Sequence, residues 1–220
     1  MELTEFWTIL SANGIILEVE QLKLIERYVK ELTYWNEKVN LVSRKDIQNV
    51  LENHILHSLS ILKYVDIPKK ARCIDVGTGG GLPGIPLKIA RPDITMILID
   101  SIAKKVKITE MLAKHTELRN IEAICARAEE FAKDKNNFAR FDVVLSRGVG
   151  KITTIVAWVK NTLRNNGQIV LLKGGDLTEE INEAKKMFSN LLVNEILIDL
   201  VGYDKFKKDD KKIVVCKFQN

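Results

Sequence analysis

The pattern of apolar and polar residues divides the chain near residue 70. Before that point, apolar residues recur every three or four positions between charged ones, and this spacing predicts amphipathic helices. After it, short continuous apolar runs alternate with amphipathic stretches, which predicts strands alternating with helices. We therefore expect an α/β protein, with an N-terminal helical extension over residues 1–70 and a second domain over residues 71–220.

Three helices are expected in the extension. The first is centred on residues 6–10 and ends at Asn13-Gly14, and the second covers residues 18–36. The third is expected to begin at Asp46, whose carboxylate would cap its first turn, and to continue to about Tyr64. Residues 39–44 interrupt the helical spacing and predict an ordered loop between the second and third helices.

Strands dominate the predicted second domain. They are expected at residues 73–76, 94–100, 121–125, 141–147, 168–173, 191–201 and 211–218. The strands up to residue 173 are apolar and are separated by stretches with helical spacing, which is typical of a parallel sheet covered on both faces. Only a short polar segment joins the last two strands. We therefore expect an antiparallel hairpin at one edge, because a parallel pair needs a long crossover.

A glycine-rich loop follows the first of these strands. Residues 77–84 have the sequence Gly-Thr-Gly-Gly-Gly-Leu-Pro-Gly, and apolar residues at helical spacing continue to residue 90. Glycine has no Cβ and adopts positive φ readily, so such a loop can turn sharply and lie against a ligand. A strand, a glycine loop and a helix in this order predict a site for a nucleotide-like ligand, with Gly77 and Gly79 beside it.

One carboxylate distinguishes between two such ligands. The loop fits the pattern of dinucleotide-binding proteins, in which an acidic residue such as Asp100 follows about twenty residues later. Asp75, however, directly precedes the loop, where it would repel a pyrophosphate and attract a ligand that carries an ammonium and a sulfonium group. S-adenosylmethionine has both groups and no phosphate, so the charge pattern favours it over a nicotinamide dinucleotide.

Two further acids fit this ligand. Asp100 ends the second strand, where its carboxylate can accept hydrogen bonds from both ribose hydroxyls. Ala128-Glu129 follows the third strand, where a backbone amide and an acid can meet the adenine edge. Structural roles are the alternatives: Asp75 could cap the following turn and Asp100 the following helix. Glu129 could be a solvated charge at a helix start.

Composition narrows the classes of protein further. The net charge is +5 and the pI about 9.0, which suits a polyanionic partner but also a surface that is merely rich in lysine. No apolar run approaches the roughly 18 residues of a membrane span. Cys73, Cys125 and Cys216 lie in predicted strands without paired spacing. This indicates buried free thiols in a reducing, cytoplasmic compartment, and no metal site.

Several motifs together carry a resemblance to a known family. They are Asn40-Leu41-Val42, residues 54–59, residues 74–87 around the glycine loop, Asp100-Ser101, residues 127–131, Ser146-Arg147 and Leu172-Lys173-Gly174. In this order and spacing they resemble the glucose-inhibited division protein B family over nearly the whole chain. The resemblance implies a Rossmann-like class I methyltransferase that uses S-adenosylmethionine. Its implied substrate is N7 of a guanine in small-subunit (16S) ribosomal RNA, free or in the small ribosomal subunit.

The resemblance also implies which residues form the site. The implied contacts to S-adenosylmethionine are Gly77, Leu82, Ala128, Glu129 and Arg147. The implied substrate face contains Asn40, Arg44, His54, Arg127 and Lys173. Two positions depart from the family pattern. His57 stands where an aspartate is common, and residues 148–151 are Gly-Val-Gly-Lys where the family is usually rich in alanine.

The implied reaction needs no general base, because N7 of neutral guanine carries a free lone pair. Catalysis would then depend on orientation and desolvation, for which Asn40, His54 and Lys173 are the candidates. Arg127, Arg147 and Lys173 are expected to bind RNA or the carboxylate of the cofactor. Other interpretations are a methyltransferase for another RNA, a protein or a small molecule, a nicotinamide-dependent oxidoreductase, and a non-catalytic RNA-binding protein. The chain is expected to act as a monomer.

Overall fold

A single sheet forms the centre of the computed structural model, which describes residues 1–43 and 47–219. Its strands are β1 (Arg72–Val76), β2 (Thr95–Asp100), β3 (Ile121–Cys125), β4 (Phe141–Arg147), β5 (Leu163–Gly174), β6 (Leu191–Leu197) and β7 (Lys211–Phe218). Their order is β3-β2-β1-β4-β5-β7-β6. The pairs from β3 to β5 are parallel, whereas β7 is antiparallel to β5 and β6. The expected parallel sheet with an antiparallel edge hairpin is confirmed.

Helices cover both faces of this sheet. Within the described ranges they are α1 (Leu3–Ala12), α2 (Val19–Asn36), α3 (His57–Leu59), α4 (Ile61–Tyr64), α5 (Gly84–Ala90), α6 (Ala103–His115), α7 (Ala128–Phe131), α8 (Ile152–Val159), α9 (Thr178–Met187) and α10 (Lys205–Lys208). The first two predicted helices agree with α1 and α2 within a few residues, and α6, α8 and α9 lie in stretches of helical spacing between the predicted strands. No helix in these ranges has the length and apolar character needed to cross a bilayer.

Alternation along the strands creates two apolar clusters, one on each face. In β1, Cys73 belongs to the cluster shared with α1, α2, α5 and α6, while Ile74 and Val76 belong to the cluster shared with α8 and α9. Successive side chains of a strand point to opposite faces, so an apolar run through every position requires cover on both sides. The N-terminal helices share one cluster with the sheet, and the division into two domains at residue 70 stays a prediction.

The third predicted helix is irregular. A 3₁₀ turn over Ile47–Asn49 is followed by a π-helical turn over Leu51–Leu56 and then by α3 and α4. The Ser58 hydroxyl donates to the His54 carbonyl at 2.7 Å, and the Ser60 hydroxyl donates to the His57 carbonyl at 2.7 Å. Such side-chain bonds compete with the regular backbone ladder. The predicted cap, Asp46, lies outside the described residues.

Strand β5 begins five residues earlier than the apolar pattern predicts. The sequence Asn166-Gly167 predicts a turn, yet both residues lie within β5, and Asn166 has a φ of 67°. The pairing with β4 shifts register between Phe141 and Val143, at the same level of the sheet. Two steps along β4, from 141 to 143, face five steps along β5, from 163 to 168, so β5 has three extra residues here. A strand can accommodate extra residues at such an irregularity, which is why a turn signal here does not end the strand.

Candidate functional site

A first cavity lies at the carboxyl ends of the central strands. Its volume is about 300 Å³, and its wall includes Gly77 after β1, Asp100 at the end of β2, and residues 126–129 after β3. Gly148 and Val149, which follow β4, close the opposite side together with Trp158 of α8. This is the edge of an open parallel sheet at which ligands bind. Of the predicted cofactor residues, Gly77, Asp100, Ala128 and Glu129 lie on this wall, as does Arg127.

Gly77 fits this wall because it has no side chain. Its φ is +69°, and its N–H donates to the Ile99 carbonyl at 2.9 Å. A Cβ built at Gly77 would lie 2.3 Å from Cγ2 of Val149, on the opposite wall. Only glycine therefore allows β1 and the segment after β4 to approach so closely.

Asp100 holds the loop and also faces the cavity. One carboxylate oxygen accepts the Gly79 N–H at 3.1 Å, and the other accepts the Ile102 N–H at 2.9 Å. The second bond holds Ile102, the residue before α6, rather than an N–H of the first helical turn, so it orders the entry to α6 without capping the helix. Each carboxylate oxygen can accept more than one hydrogen bond, so capacity for ribose hydroxyls is retained. Gly79 itself does not line the cavity.

Asp75 lies away from the cavity wall, although the sequence suggests a ligand contact. Its side chain is fully buried, and Oδ2 accepts the Thr78 hydroxyl at 2.7 Å and the Gly84 N–H at 2.9 Å. Oδ1 has no hydrogen-bond partner among the described residues. Burial raises the pKa of this carboxyl to about 6, although both hydrogen bonds oppose the rise. In this geometry Asp75 joins the beginning of the glycine loop to the start of α5.

Leu82 is likewise placed in the core. Its side chain is 2% exposed and packs in the cluster shared with the N-terminal helices. Its N–H donates to the Thr78 carbonyl at 2.9 Å, which tightens the loop before α5. A direct side-chain contact between Leu82 and a ligand in the first cavity is therefore not provided by this structure.

The N-terminal helices support the loop from behind. The buried Tyr28 of α2 donates its hydroxyl to the Gly80 carbonyl at 2.7 Å. At the end of α2, the Asn36 side-chain oxygen accepts the N–H groups of Leu41 and Val42 at 2.8 and 2.9 Å. These bonds fix the backbone of Leu41, whose carbonyl would lie 3.1 Å from a Cβ at Gly79. The sequence gives no local signal for the bond from Tyr28 to Gly80, since these two residues lie 52 positions apart in the chain.

A second cavity of about 770 Å³ adjoins the first. Its wall includes His54, His57 and Arg147, residues 172–174 at the end of β5, and residues on or near α10. Gly148 lies on the walls of both cavities, so the two are neighbours across the end of β4. Arg147 is predicted from the resemblance as a cofactor residue, and it lines the second cavity rather than the first.

Arg147 fixes the state of His54. The Arg147 guanidinium lies 2.5 Å from Nδ1 of His54. A guanidinium only donates hydrogen bonds, so Nδ1 must accept and the imidazole proton must reside on Nε2. Burial, reinforced by the charges of Arg147 and Lys211, lowers the pKa of His54 to about 3. His54 is thus a neutral side chain, 7% exposed, whose Nε2–H has no partner among the described residues.

His57 has a similar environment. Its side chain is 6% exposed, its Nε2 lacks a partner among the described residues, and its ring packs 5.2 Å from that of Phe206. Burial lowers the pKa of His57 well below the usual value. The aspartate that is usual at this position in the family would supply a negative charge. His57 instead supplies a neutral aromatic ring.

Lys173 is committed to an ion pair. Its ammonium lies 2.5 Å from Oε1 of Glu180 and donates to the Gly150 carbonyl at 2.6 Å. Glu180 also accepts the Ile152 N–H at 2.5 Å, at the start of α8. Lys173 therefore positions the segment after β4, which walls both cavities. A phosphate or base contact through its ammonium, as predicted from the resemblance, would require this pair to break.

Replacing Glu180 by alanine is expected to destabilise the protein by about 3 kcal/mol. Both side chains of the pair are mostly buried, at 16% and 18% exposure, and removal of one partner leaves an uncompensated charge. Urea unfolding followed by circular dichroism measures this change. Glu183→Ala is the matched control, because Glu183 pairs with the exposed Lys151 and its loss should change stability little. Equal destabilisation by both variants would contradict the argument.

Two predicted substrate residues, Asn40 and Arg127, lie away from the second cavity. Asn40 is exposed and lies on the wall of neither cavity. Arg44 lies outside the described residues. Arg127 is exposed at the rim of the first cavity, 3.7 Å from Glu129, rather than in the second cavity. A role for each of them in binding RNA stays a prediction.

Two of the three cysteines are buried, and one is exposed. Cys73 and Cys216 are buried, and burial raises the pKa of each thiol to about 12. The expectation of burial is wrong for Cys125, which is exposed because β3 is an edge strand. Within the described part of the chain, no three histidine, cysteine, aspartate or glutamate side chains gather around a common point suited to a metal ion.

Comparison with known proteins gives consistent results. The family described as rRNA small subunit methyltransferase G, GidB, matches residues 21–204. The chain is 39% identical to ribosomal RNA small subunit methyltransferase G of Flavobacterium psychrophilum, over 77% of this chain and 80% of that protein. The same-named protein of Chlorobaculum tepidum is 41% identical, over 78% and 77%. That of Desulforamulus reducens is 36% identical, over 91% and 83%.

Solved structures show the same fold at low identity. A TehB-like SAM-dependent methyltransferase from Corynebacterium glutamicum aligns with a TM-score of 0.56 and 14% identity, over 80% of this chain and 95% of that chain. TrmN from Thermus thermophilus aligns with a TM-score of 0.58 and 14% identity, over 75% and 49%. These similarities support the class I methyltransferase architecture expected from the sequence.

Proposed function

Because the chain belongs to the GidB family of rRNA small subunit methyltransferases, we propose that it methylates N7 of a guanine in small-subunit ribosomal RNA, with S-adenosylmethionine as methyl donor. The chain is a methyltransferase, and the observation that carries the finer assignment is the pair of adjoining cavities. The first is bordered by carboxylates, the second by cations and neutral histidines, and Gly148 lies on both walls. Methyl donor and RNA base would then meet at the end of β4.

The first cavity suits S-adenosylmethionine. Its walls approach too closely for any side chain at Gly77, and they offer the Asp100 carboxylate for hydroxyl groups and Glu129 for a further donor. When bound, this cofactor supplies an electrophilic methyl group on a sulfonium. The residues that would hold it are Gly77, Asp100, Ala128 and Glu129. The buried carboxylate of Asp75 keeps the loop in the shape that they require.

The second cavity suits a purine with acceptors at its edge. Guanine presents O6 and N7 as acceptors on this edge, and N7 must stay uncovered to react. The Nε2–H of His54 is a buried donor without a partner in the described residues, and a carbonyl such as O6 would satisfy it. Adenine has an amino group where guanine has O6, so the Nε2–H of His54 and this amino group would be two donors facing each other. His54 therefore supports selection of guanine.

No proton has to leave guanine N7 before it reacts. The neutral His54 therefore acts as a hydrogen-bond donor that orients the base, and no residue of the second cavity needs to act as a base. The arrangement contributes by orientation and by removal of water from the two reacting partners. The target nucleotide must be unstacked to enter a cavity, which favours a single-stranded or loop position in the RNA.

Transfer of a labelled methyl group tests this function directly. Small ribosomal subunits from cells that lack this protein are incubated with the enzyme and radiolabelled S-adenosylmethionine, and the RNA is digested to nucleosides. We expect one labelled product, 7-methylguanosine, and no label in large subunits, which serve as the control. A different labelled nucleoside would contradict the guanine N7 assignment. No incorporation into either subunit would contradict the RNA substrate. We further propose that the protein acts on this substrate as a monomer in the cytoplasm.

A further inference from the structure

Lys211, the first residue of β7, is a cation to which neither the sequence motifs nor the proposed chemistry assigns a role. Its side chain is partly buried on the wall of the second cavity, next to the end of β5, where its backbone pairs with Gly174. Its backbone is hydrogen-bonded in the sheet and by the Ile198 N–H, but its side-chain ammonium makes no hydrogen bond or ion pair with any other residue of the described ranges. A half-buried ammonium without a counter-charge is costly to desolvate, and an anionic ligand would relieve that cost.

The other lysines of this region are already neutralised. Lys173 pairs with Glu180, Lys205 lies 3.3 Å from Glu52, and Lys212 lies 2.8 Å from Glu195. These acids do not line the second cavity, and Asp209 is the one acid on the described part of its wall. Among the described residues, Lys211 is therefore the lysine of this wall that has no neighbouring carboxylate within ion-pair distance.

The positive potential of Lys211 reaches deep into the second cavity. Burial lowers the pKa of both His54 and His57, and the charges of Arg147 and Lys211 lower it further. These two histidines have unpartnered Nε2 atoms in side chains that are more than nine-tenths buried. A buried polar atom is normally hydrogen-bonded, so each Nε2 calls for a partner from a ligand or from water. The ligand therefore combines polar groups near the histidines with an anionic group near Lys211.

We propose that Lys211 binds a backbone phosphate of the RNA strand whose target base occupies the second cavity. This inference rests on the proposed RNA substrate, since a nucleotide carries both the base and the phosphate that the two ends of the cavity require. The carboxylate of the cofactor is the other available anion. Lys211 lines only the second cavity, and the first cavity holds the cofactor-binding residues, so the phosphate is favoured.

The test compares Lys211→Gln with Lys217→Gln. Both substitutions remove one positive charge from β7. Lys217 is exposed, and its backbone lies opposite Gln168 of β5 and Leu192 of β6, far along the strand from the second cavity. The affinity for small-subunit RNA is measured from about 50 to 300 mM KCl, a range in which phosphate contacts dominate the salt dependence. The affinity for S-adenosylmethionine is measured by calorimetry, and Lys211→Arg is included to retain the charge.

For Lys211→Gln we expect about a 3- to 10-fold loss of RNA affinity and a salt slope that is shallower by about 0.7 to 0.9, as for one phosphate contact. Lys211→Arg and Lys217→Gln should retain both values, and cofactor affinity should not change. Equal effects of Lys211→Gln and Lys217→Gln on RNA binding would overturn the proposal. So would a loss of cofactor affinity in Lys211→Gln, which would assign the lysine to the cofactor carboxylate. Failure of the wild-type enzyme to methylate RNA would instead reject the proposed function.

Discussion

A Gly77→Ala variant is expected to lose about 100-fold or more in affinity for S-adenosylmethionine while remaining folded. Two separate effects act at this position. Gly77 has a φ of +69°, which costs an alanine about 1 kcal/mol. The new methyl group would also lie 2.3 Å from Cγ2 of Val149, so the two walls of the first cavity must separate. A 100-fold change corresponds to about 2.8 kcal/mol, which the two effects together can supply. Isothermal titration calorimetry measures it.

A second glycine separates these two effects. Gly202 also has positive φ, at +79°, but a Cβ there would meet no atom within 4 Å. Gly202→Ala should therefore show the backbone cost in thermal stability and leave cofactor binding unchanged. In the double variant Gly77→Ala with Val149→Ala, removal of the valine methyl groups should restore much of the affinity. Failure of this rescue would show that contact across the cavity is not the cause.

Local sequence patterns predict the parts of this site that are built by neighbours in the chain. The glycine loop after β1 and the acid at the end of β2 were both predicted, because a strand, a tight turn and a helix leave a continuous signature. The parallel sheet was predicted because strands that are apolar at every position need cover on both faces. The placement of β7 between β5 and β6 was not predicted, because no local pattern encodes which strand becomes its neighbour.

Side-chain partners across the fold were beyond the reach of such patterns. Arg147 and His54 are 93 residues apart in sequence, and their contact decides both the tautomer and the charge of the histidine. Lys173 has the appearance of a free cation in the sequence, but its pairing with Glu180 depends on how α9 packs behind the segment after β4. Lys211 carries no motif at all. Charge compensation is a property of the folded structure, so a sequence shows which cations exist but not which remain available to a ligand.

Two substitutions of Asp75 distinguish between two roles of its carboxylate. It could attract the cofactor by its negative charge, or it could hold the glycine loop in shape by its hydrogen bonds. Asp75→Asn can still accept the hydrogen bonds from Thr78 and Gly84, whereas Asp75→Ala loses both. If the carboxylate acts by holding the loop, the asparagine variant should bind S-adenosylmethionine within about 3-fold of wild type, and the alanine variant about 30-fold or more weaker, from the loss of two buried bonds. Equal, large losses in both variants would instead favour direct attraction by the negative charge.

The same carboxyl should make the stability of the ligand-free protein depend on pH. Burial raises its pKa from 3.8 to about 6, so between these values the folded state binds more protons than the unfolded state. The free energy of unfolding therefore falls as pH rises through this interval and levels off above the folded-state pKa. Relative to Asp75→Asn, which cannot titrate, wild type should lose roughly 2 to 3 kcal/mol between pH 4 and pH 8. Urea unfolding of both proteins at each pH measures the difference, because the contributions of all other groups are shared. A constant difference across this range would mean that the carboxyl titrates alike in the folded and unfolded states.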